Sequence, residues 1–247
     1  MAASPPHVFT IPASVPFLPA LIKALLDGRL VDGFPQKDDP LSLATATLYL
    51  PTRRACRLAR DVFLDVLGQN AAILPRIAAI GDIDEDEIVF ADSATGGLAA
   101  HALDLPETDH GIDRTTLLAT QIQAWAAAIA PDRGAPLVAN NPASAFALAQ
   151  QLARLLDDMI TRQVSWDRLD SLVPDEHDKY WQLTLDFLKI ARQNWPEILK
   201  ERGVIEIAER RDRLIEAETK RLKAGGSGPV IAAGSTGSMP STATLLD

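Results

Sequence analysis

Three stretches of the sequence carry residue types that could bind phosphate. The most basic is Pro51-Thr52-Arg53-Arg54, continued by Arg57 and Arg60. Guanidinium groups present planar N–H forks that match phosphate oxygens in pairs. Arg53, Arg57 and Arg60 recur at a spacing that puts them near one face of a helix. A solvated helix surface and a ligand-facing stripe account for that spacing equally well. The second stretch, Gly234-Ser235-Thr236-Gly237-Ser238, offers two glycines and three hydroxyls ahead of a predicted helix, the make-up of an anion loop. Met239-Pro240 stands where such a loop needs a lysine followed by a hydroxyl, so an ordinary Gly/Ser turn is the stronger reading. The third, Thr10-Ile11-Pro12-Ala13-Ser14-Val15-Pro16, joins a predicted strand to a predicted helix, where a nucleotide-binding protein places its phosphate loop. It has no glycine, its two prolines lack N–H donors, and Lys23 falls two helical turns too late to reach a phosphate. An ordinary βα turn is expected there, without ATP.

Other chemistry is absent by spacing. The strand predicted before Gly234 ends in Ala233 and offers no carboxylate to position magnesium or activate water. The acidic run Asp82-Ile83-Asp84-Glu85-Asp86-Glu87 has the ligand type of a hard-cation site but not the spacing of a calcium loop, and reads as a solvated acidic loop. His7, His101, His110 and His177 are scattered without metal-pair spacing. No Ser–His–Asp or Cys–His arrangement can be argued. Cys56 is the one cysteine in the chain, which excludes an intramolecular disulfide and a cysteine-ligated zinc or iron–sulfur site. A reducing cytoplasm fits both facts.

The elements that must carry these residues alternate at first. His7 to Ile11 is β-branched and aromatic and predicts a buried strand, followed by a helix from Phe17 to Asp27 with Gly28 beyond its end. Ala46 to Leu50 predicts a second strand, which runs into Pro51-Thr52 and a helix through Leu58, Val62, Phe63, Val66 and Leu67. Ala71 to Ile80, broken by Pro75, predicts a third. Strands alternating with helices imply a parallel sheet. From Ile112 to Lys223 the pattern is helical throughout, with helices at Thr115–Ile129, Pro142–Ile160, Asp178–Lys200 and Val204–Lys223. Asn141 is placed to cap the second of these, and Pro196 marks a break in the third. Phe146, Leu148, Leu152, Leu155, Leu156 and Met159 are the expected buried face of the Pro142 helix, and Ile207, Leu214, Ile215 and Leu222 form a thin apolar stripe on the last. Pro229 to Ala233 predicts a strand returning to the sheet, with a helix starting at Ser241. The fold class expected is α/β: a parallel sheet laid out like a P-loop nucleotide-binding domain, formed by residues 1–111 and 224–247, with residues 112–223 inserted as a helical subdomain. The last element stops at Asp247 without a cap, and a longer protein is expected.

At 247 residues, 47% hydrophobic and 23% charged, the chain has the make-up of a folded globular protein. No apolar run approaches the roughly 20 residues that cross a bilayer, and Met1 to Pro6 lacks the features of a signal peptide. The net charge of −9 excludes a chain that coats nucleic acid indiscriminately, so any DNA contact must be confined to one face.

Four strings in this order carry a family likeness: Val8-Phe9-Thr10-Ile11-Pro12-Ala13; Leu50-Pro51-Thr52-Arg53-Arg54-Ala55; Leu74-Pro75-Arg76-Ile77 with Gly81-Asp82-Ile83-Asp84-Glu85; and Ala233-Gly234-Ser235-Thr236-Gly237-Ser238. With them the chain resembles, over essentially its whole length, the N-terminal region of the AddB family in its alphaproteobacterial form. AddB proteins are subunits of the bacterial AddAB helicase–nuclease that repairs double-strand breaks. The resemblance implies a superfamily 1 helicase fold, with a RecA-like sheet domain that does not unwind DNA. It implies DNA and an AddA-type helicase–nuclease subunit as partners. Pro51-Thr52-Arg53-Arg54 matches the position of the segment that contacts single-stranded DNA in active relatives, and with the spacing of the following arginines the candidate DNA-binding residues are Thr52, Arg53, Arg54, Arg57 and Arg60. An iron–sulfur cluster and magnesium would belong to a nuclease domain that this sequence does not contain. The function expected is an inactivated helicase-like scaffold that guides DNA. Its rivals are a module that only docks AddA, and a weak nucleotide-binding domain using Gly234 to Ser238.

Overall fold

Thr47-Leu48-Tyr49-Leu50 is apolar or β-branched throughout, as suits a strand covered on both faces. In the computed structural model these residues form β1, the buried central strand of a three-stranded parallel sheet. β2 (Arg76–Ala79) pairs on one side, from Thr47 opposite Arg76 to Leu50 opposite Ala79. β3 (Val230–Ala232) pairs on the other, with Thr47 opposite Val230. The residues described are 7–36, 38–39, 41–80, 105–109, 111–129, 141–170, 179–223 and 228–247, with backbone alone at 169–170 and 179–182. The acidic run Asp82 to Glu87 and the histidines at 101, 110 and 177 lie outside them. The chain divides into two compact units, Met1–Leu103 with Leu214–Asp247, and Asp104–Arg213.

In the sheet unit, α1 (Phe17–Leu26) and α2 (Arg53–Leu67) supply the covering layer. Ile22 and Leu25 of α1 and Cys56, Ala59 and Phe63 of α2 share one core with Leu48, Leu50, Ile77 and Ala233. The order β1, α2, β2 is the βαβ unit that parallel pairing requires. Beyond the sheet, α9 (Pro240–Leu246) follows β3.

The segment His7 to Ile11 departs from expectation. It forms no strand, and Val8 is 88% exposed. β-propensity measures how well a side chain fits a half-buried pleated surface, and no described strand flanks this run to provide one. Among the described residues β3 is accordingly an edge strand, paired only with β1.

The second unit contains α3 (Gly111–Ala128), α4 (Pro142–Thr161), the short α5 (Asp167–Asp170), α6 (Lys179–Lys189) and α7 (Trp195–Arg202). Asn141 caps α4, its side chain accepting from Ser144 N at 2.9 Å. The buried face of α4 is built from Ala145, Ala149, Leu152, Ala153, Leu156 and Met159. Phe146 is instead exposed, and Leu148 and Leu155 are only half-buried, because the alanine row sits closest to the neighbouring helices. Between α6 and α7 the backbone widens into a π-turn over Ile190–Asn194, ending two residues before Pro196, which has no N–H to return to the preceding turn. The helix α8 (Ile207–Lys223) begins in this unit and ends in the sheet unit. Its Leu214 and Ile215 are buried as expected, but Ile207 is exposed. Among the described residues no helix is long and apolar enough to cross a membrane.

Candidate functional site

The C-terminal ends of β1 and β3 bring the phosphate-type segments together. After β1 the chain turns through Pro51 to Thr52, whose extended backbone and side chain cap α2, Oγ1 accepting from Ala55 N at 3.1 Å. After β3, Ala233 N donates to Tyr49 O at 2.9 Å and Gly234 turns with φ +74°. A β-carbon on Gly234 would stand 3.4 Å from Pro51 Cγ and 3.5 Å from the Phe17 ring. The turn after β1, the turn after β3 and the start of α1 therefore meet, at the end of a parallel sheet where ligands are customarily held.

Between them lies a crevice of about 430 Å³ lined by Phe17, Leu18, Leu50, Pro51, Leu58 and Gly234, with Ala55, Thr52 and Arg54 completing the wall. Its surface is almost wholly apolar. It offers few polar partners to a phosphate. In the Thr10–Pro16 segment Val15 N is already spent on Pro12 O at 3.0 Å, and Pro12 and Pro16 offer no N–H at all. Thr10, Pro12, Ala13 and Ser14 are exposed and Ile11 is drawn toward the core. In the Gly234–Ser238 turn, Gly237 N approaches Ser235 Oγ at 3.4 Å, and the helix that follows opens on Pro240. Ser235 and Gly237 are half-buried, Thr236 and Ser238 exposed.

The arginines separate into two kinds. Arg53, Arg54 and Arg57 are exposed on the first turns of α2, and Arg54 borders the crevice. Arg60 is half-buried and donates to Ile77 O at 3.2 Å, tying α2 to β2. The first turn of α2 contains no acidic residue. Positive charge at a helix N-terminus opposes the macrodipole and costs about 0.3–1 kcal/mol per group. The pattern is unfavourable for the isolated fold and favourable for holding an anion. No protein-family model, curated protein or solved structure matches the chain.

Sequence reasoning missed the charged groups that brace the sheet beneath this site. Glu218 of α8 is buried to 1% exposure and gathers three partners. The Tyr49 hydroxyl donates to its Oε1, Arg76 Nη1 approaches at 2.9 Å, and Arg221 donates through Nε and Nη2 at 2.8 Å each. Burial works to raise the Glu218 carboxyl, but the Arg221 hydrogen bonds, the Arg76 charge and the Tyr49 hydroxyl outweigh it and hold the group below the usual carboxylate range. Burial, with the Glu218 charge beside it, pushes the Tyr49 phenol up.

The helical unit contains a second buried carboxylate with the opposite balance. Glu206 accepts from Trp195 Nε1 at 2.5 Å and lies 3.0 Å from Arg114 Nε. Burial raises its carboxyl above the ordinary range despite the Arg114 charge and the Trp195 hydrogen bond. Arg114 also pairs with Asp157 at 3.0 Å. The i,i+3 spacing of Glu218 and Arg221 is visible along the chain; the contact with Arg76, 142 residues away, is not.

Proposed function

We propose that this chain is a helicase-like scaffold that guides single-stranded DNA along the start of α2, in a P-loop-type sheet domain that does not use ATP. The observation that carries the reading is the exposed set Arg53, Arg54 and Arg57 at the N-terminus of α2, at the C-terminal end of a parallel sheet. Phosphates placed there meet exposed guanidinium groups within the positive field of the α2 N-terminus. The AddB-like strings add the biological setting: an N-terminal region of a double-strand-break repair subunit, working beside an AddA-type partner. The proline-rich turn before α1 and the apolar crevice support a role without nucleotide hydrolysis.

The test is fluorescence anisotropy with a labelled oligothymidylate, comparing the chain with Arg53→Ala/Arg57→Ala. Single-strand affinity falls with salt by a slope of about −0.7 per phosphate neutralised, so losing two contacts lowers the slope by about 1.4. Equal affinity and equal slope for both proteins refute the DNA role. Calorimetry with ATP and magnesium is expected to show no heat of binding.

A further inference from the structure

The crevice beside the arginines is unsuited to the phosphates that the arginines attract. We propose that it is a docking slot for one bulky aliphatic or aromatic side chain of a partner polypeptide, on a segment whose neighbouring residues are acidic. This inference does not rest on the DNA reading: it stands on the apolar lining of the slot, and the arginines that both readings use are read here only through peptide binding.

The chemistry of the wall selects the occupant. Leu58 is 52% and Phe17 41% exposed, so two large apolar side chains face the same opening. The polar side chains of the wall are Thr52 and Arg54, and Thr52 Oγ1 is already engaged with Ala55 N. A nucleobase edge or phosphate entering the slot surrenders hydrogen bonds to water and regains almost none, whereas a Leu, Phe or Met side chain surrenders nothing. The volume, about 430 Å³, admits such an anchor with room for its flanks. Anchors of this kind, seated in desolvated pockets, dominate binding energy at protein interfaces.

Charge selects the flanks. Arg54 lies on the wall, Arg57 is one turn further on, and among the described residues no carboxylate lines the slot. The α2 N-terminus adds its own positive field. Acidic residues one to three positions from the anchor satisfy both, and basic ones are repelled. The mode is that of a short segment laid across a surface with its apolar residue inserted and its charged residues on the rim.

The experiment is a random-peptide display selection against the immobilised 247-residue chain, followed by anisotropy with the best synthetic peptide. The expected consensus is one Leu, Phe or Met with Asp or Glu within three positions. Leu58→Asp then weakens the peptide at least tenfold, and Arg54→Glu weakens it about as much, with buried Cys56 still protected from thiol reagent in both. Oligothymidylate binding by Leu58→Ala, which opens the apolar wall without adding a charge, stays within twofold of the parent. A consensus without acidic flanks, no enrichment, or a peptide indifferent to both substitutions overturns the slot. Loss of oligothymidylate binding in Leu58→Ala reassigns the crevice to nucleic acid. Self-association of the chain that Leu58→Asp abolishes reassigns it to a second copy. Each of these also overturns the proposal, and none bears on the Arg53→Ala/Arg57→Ala result.

Discussion

Replacing Glu218 by Gln removes the charge that joins β1, β2 and α8. Breaking a buried ion pair by deleting one partner costs about 3–5 kcal/mol. The amide introduced there would still accept from Tyr49, and Arg76 and Arg221 keep side chains 27% and 24% exposed, so water re-solvates them in part. The expected loss is therefore at the low end, about 3 kcal/mol. With a urea slope of about 1.5–2 kcal/mol/M, the unfolding midpoint drops by about 1.5–2 M. Cys56 supplies the assay. It is the single cysteine, 1% exposed in the core of the sheet unit, so its labelling by a thiol reagent against urea reports the unfolding of that unit. The pH dependence has a definite sign. The folded carboxyl lies below its unfolded value, so its stabilisation is present above the ordinary carboxylate range near about 4.3 and is lost as pH falls through the depressed folded value. Parent and variant should differ fully at neutral pH and converge in acid. A midpoint shift under about 0.3 M, or a difference undiminished in acid, refutes the reasoning.

Glu206→Gln should cost less, within about 1 kcal/mol at neutral pH, because burial disfavours its charge and Arg114 keeps Asp157; tryptophan emission against urea reads it. Its stabilising contribution is full below the ordinary carboxylate value and is lost as pH rises through the raised folded value, opposite to Glu218. Gly228→Ala drives a β-carbon into the Thr45 carbonyl, forcing the backbone before β3 to move, and should cost about 3 kcal/mol in the Cys56-labelling assay. Arg54→Glu reverses an unfavourable charge at the α2 N-terminus and should add about 1 kcal/mol of stability in the same assay while weakening oligothymidylate binding.

Local chemistry explains which parts of the fold could be read from the sequence. Asn141 before Pro142 and the continuous run of Thr47 to Leu50 announce a capped helix and a buried strand, and both are found. His7 to Ile11 has the same kind of composition as β1 but no flanking strand among the described residues, a condition no short window of sequence contains. Phe146 is misleading because the larger residue is not the closer one: alanines at 145, 149 and 153 let neighbouring helices approach. The arginines of the site are visible as types and spacing. The apolar crevice is not, because it joins Phe17 and Leu58 to Gly234, far apart along the chain. The bracing of Glu218 by Arg76 and Tyr49 is hidden for the same reason.

The central claim is that the exposed arginines at the start of α2 face a nucleic-acid strand. The salt dependence of oligothymidylate binding tests it most directly. The account predicts measurable affinity for the parent chain and a log–log slope smaller by about 1.4 in Arg53→Ala/Arg57→Ala. Indistinguishable affinities and slopes, or no binding by the parent chain at low salt, would contradict it.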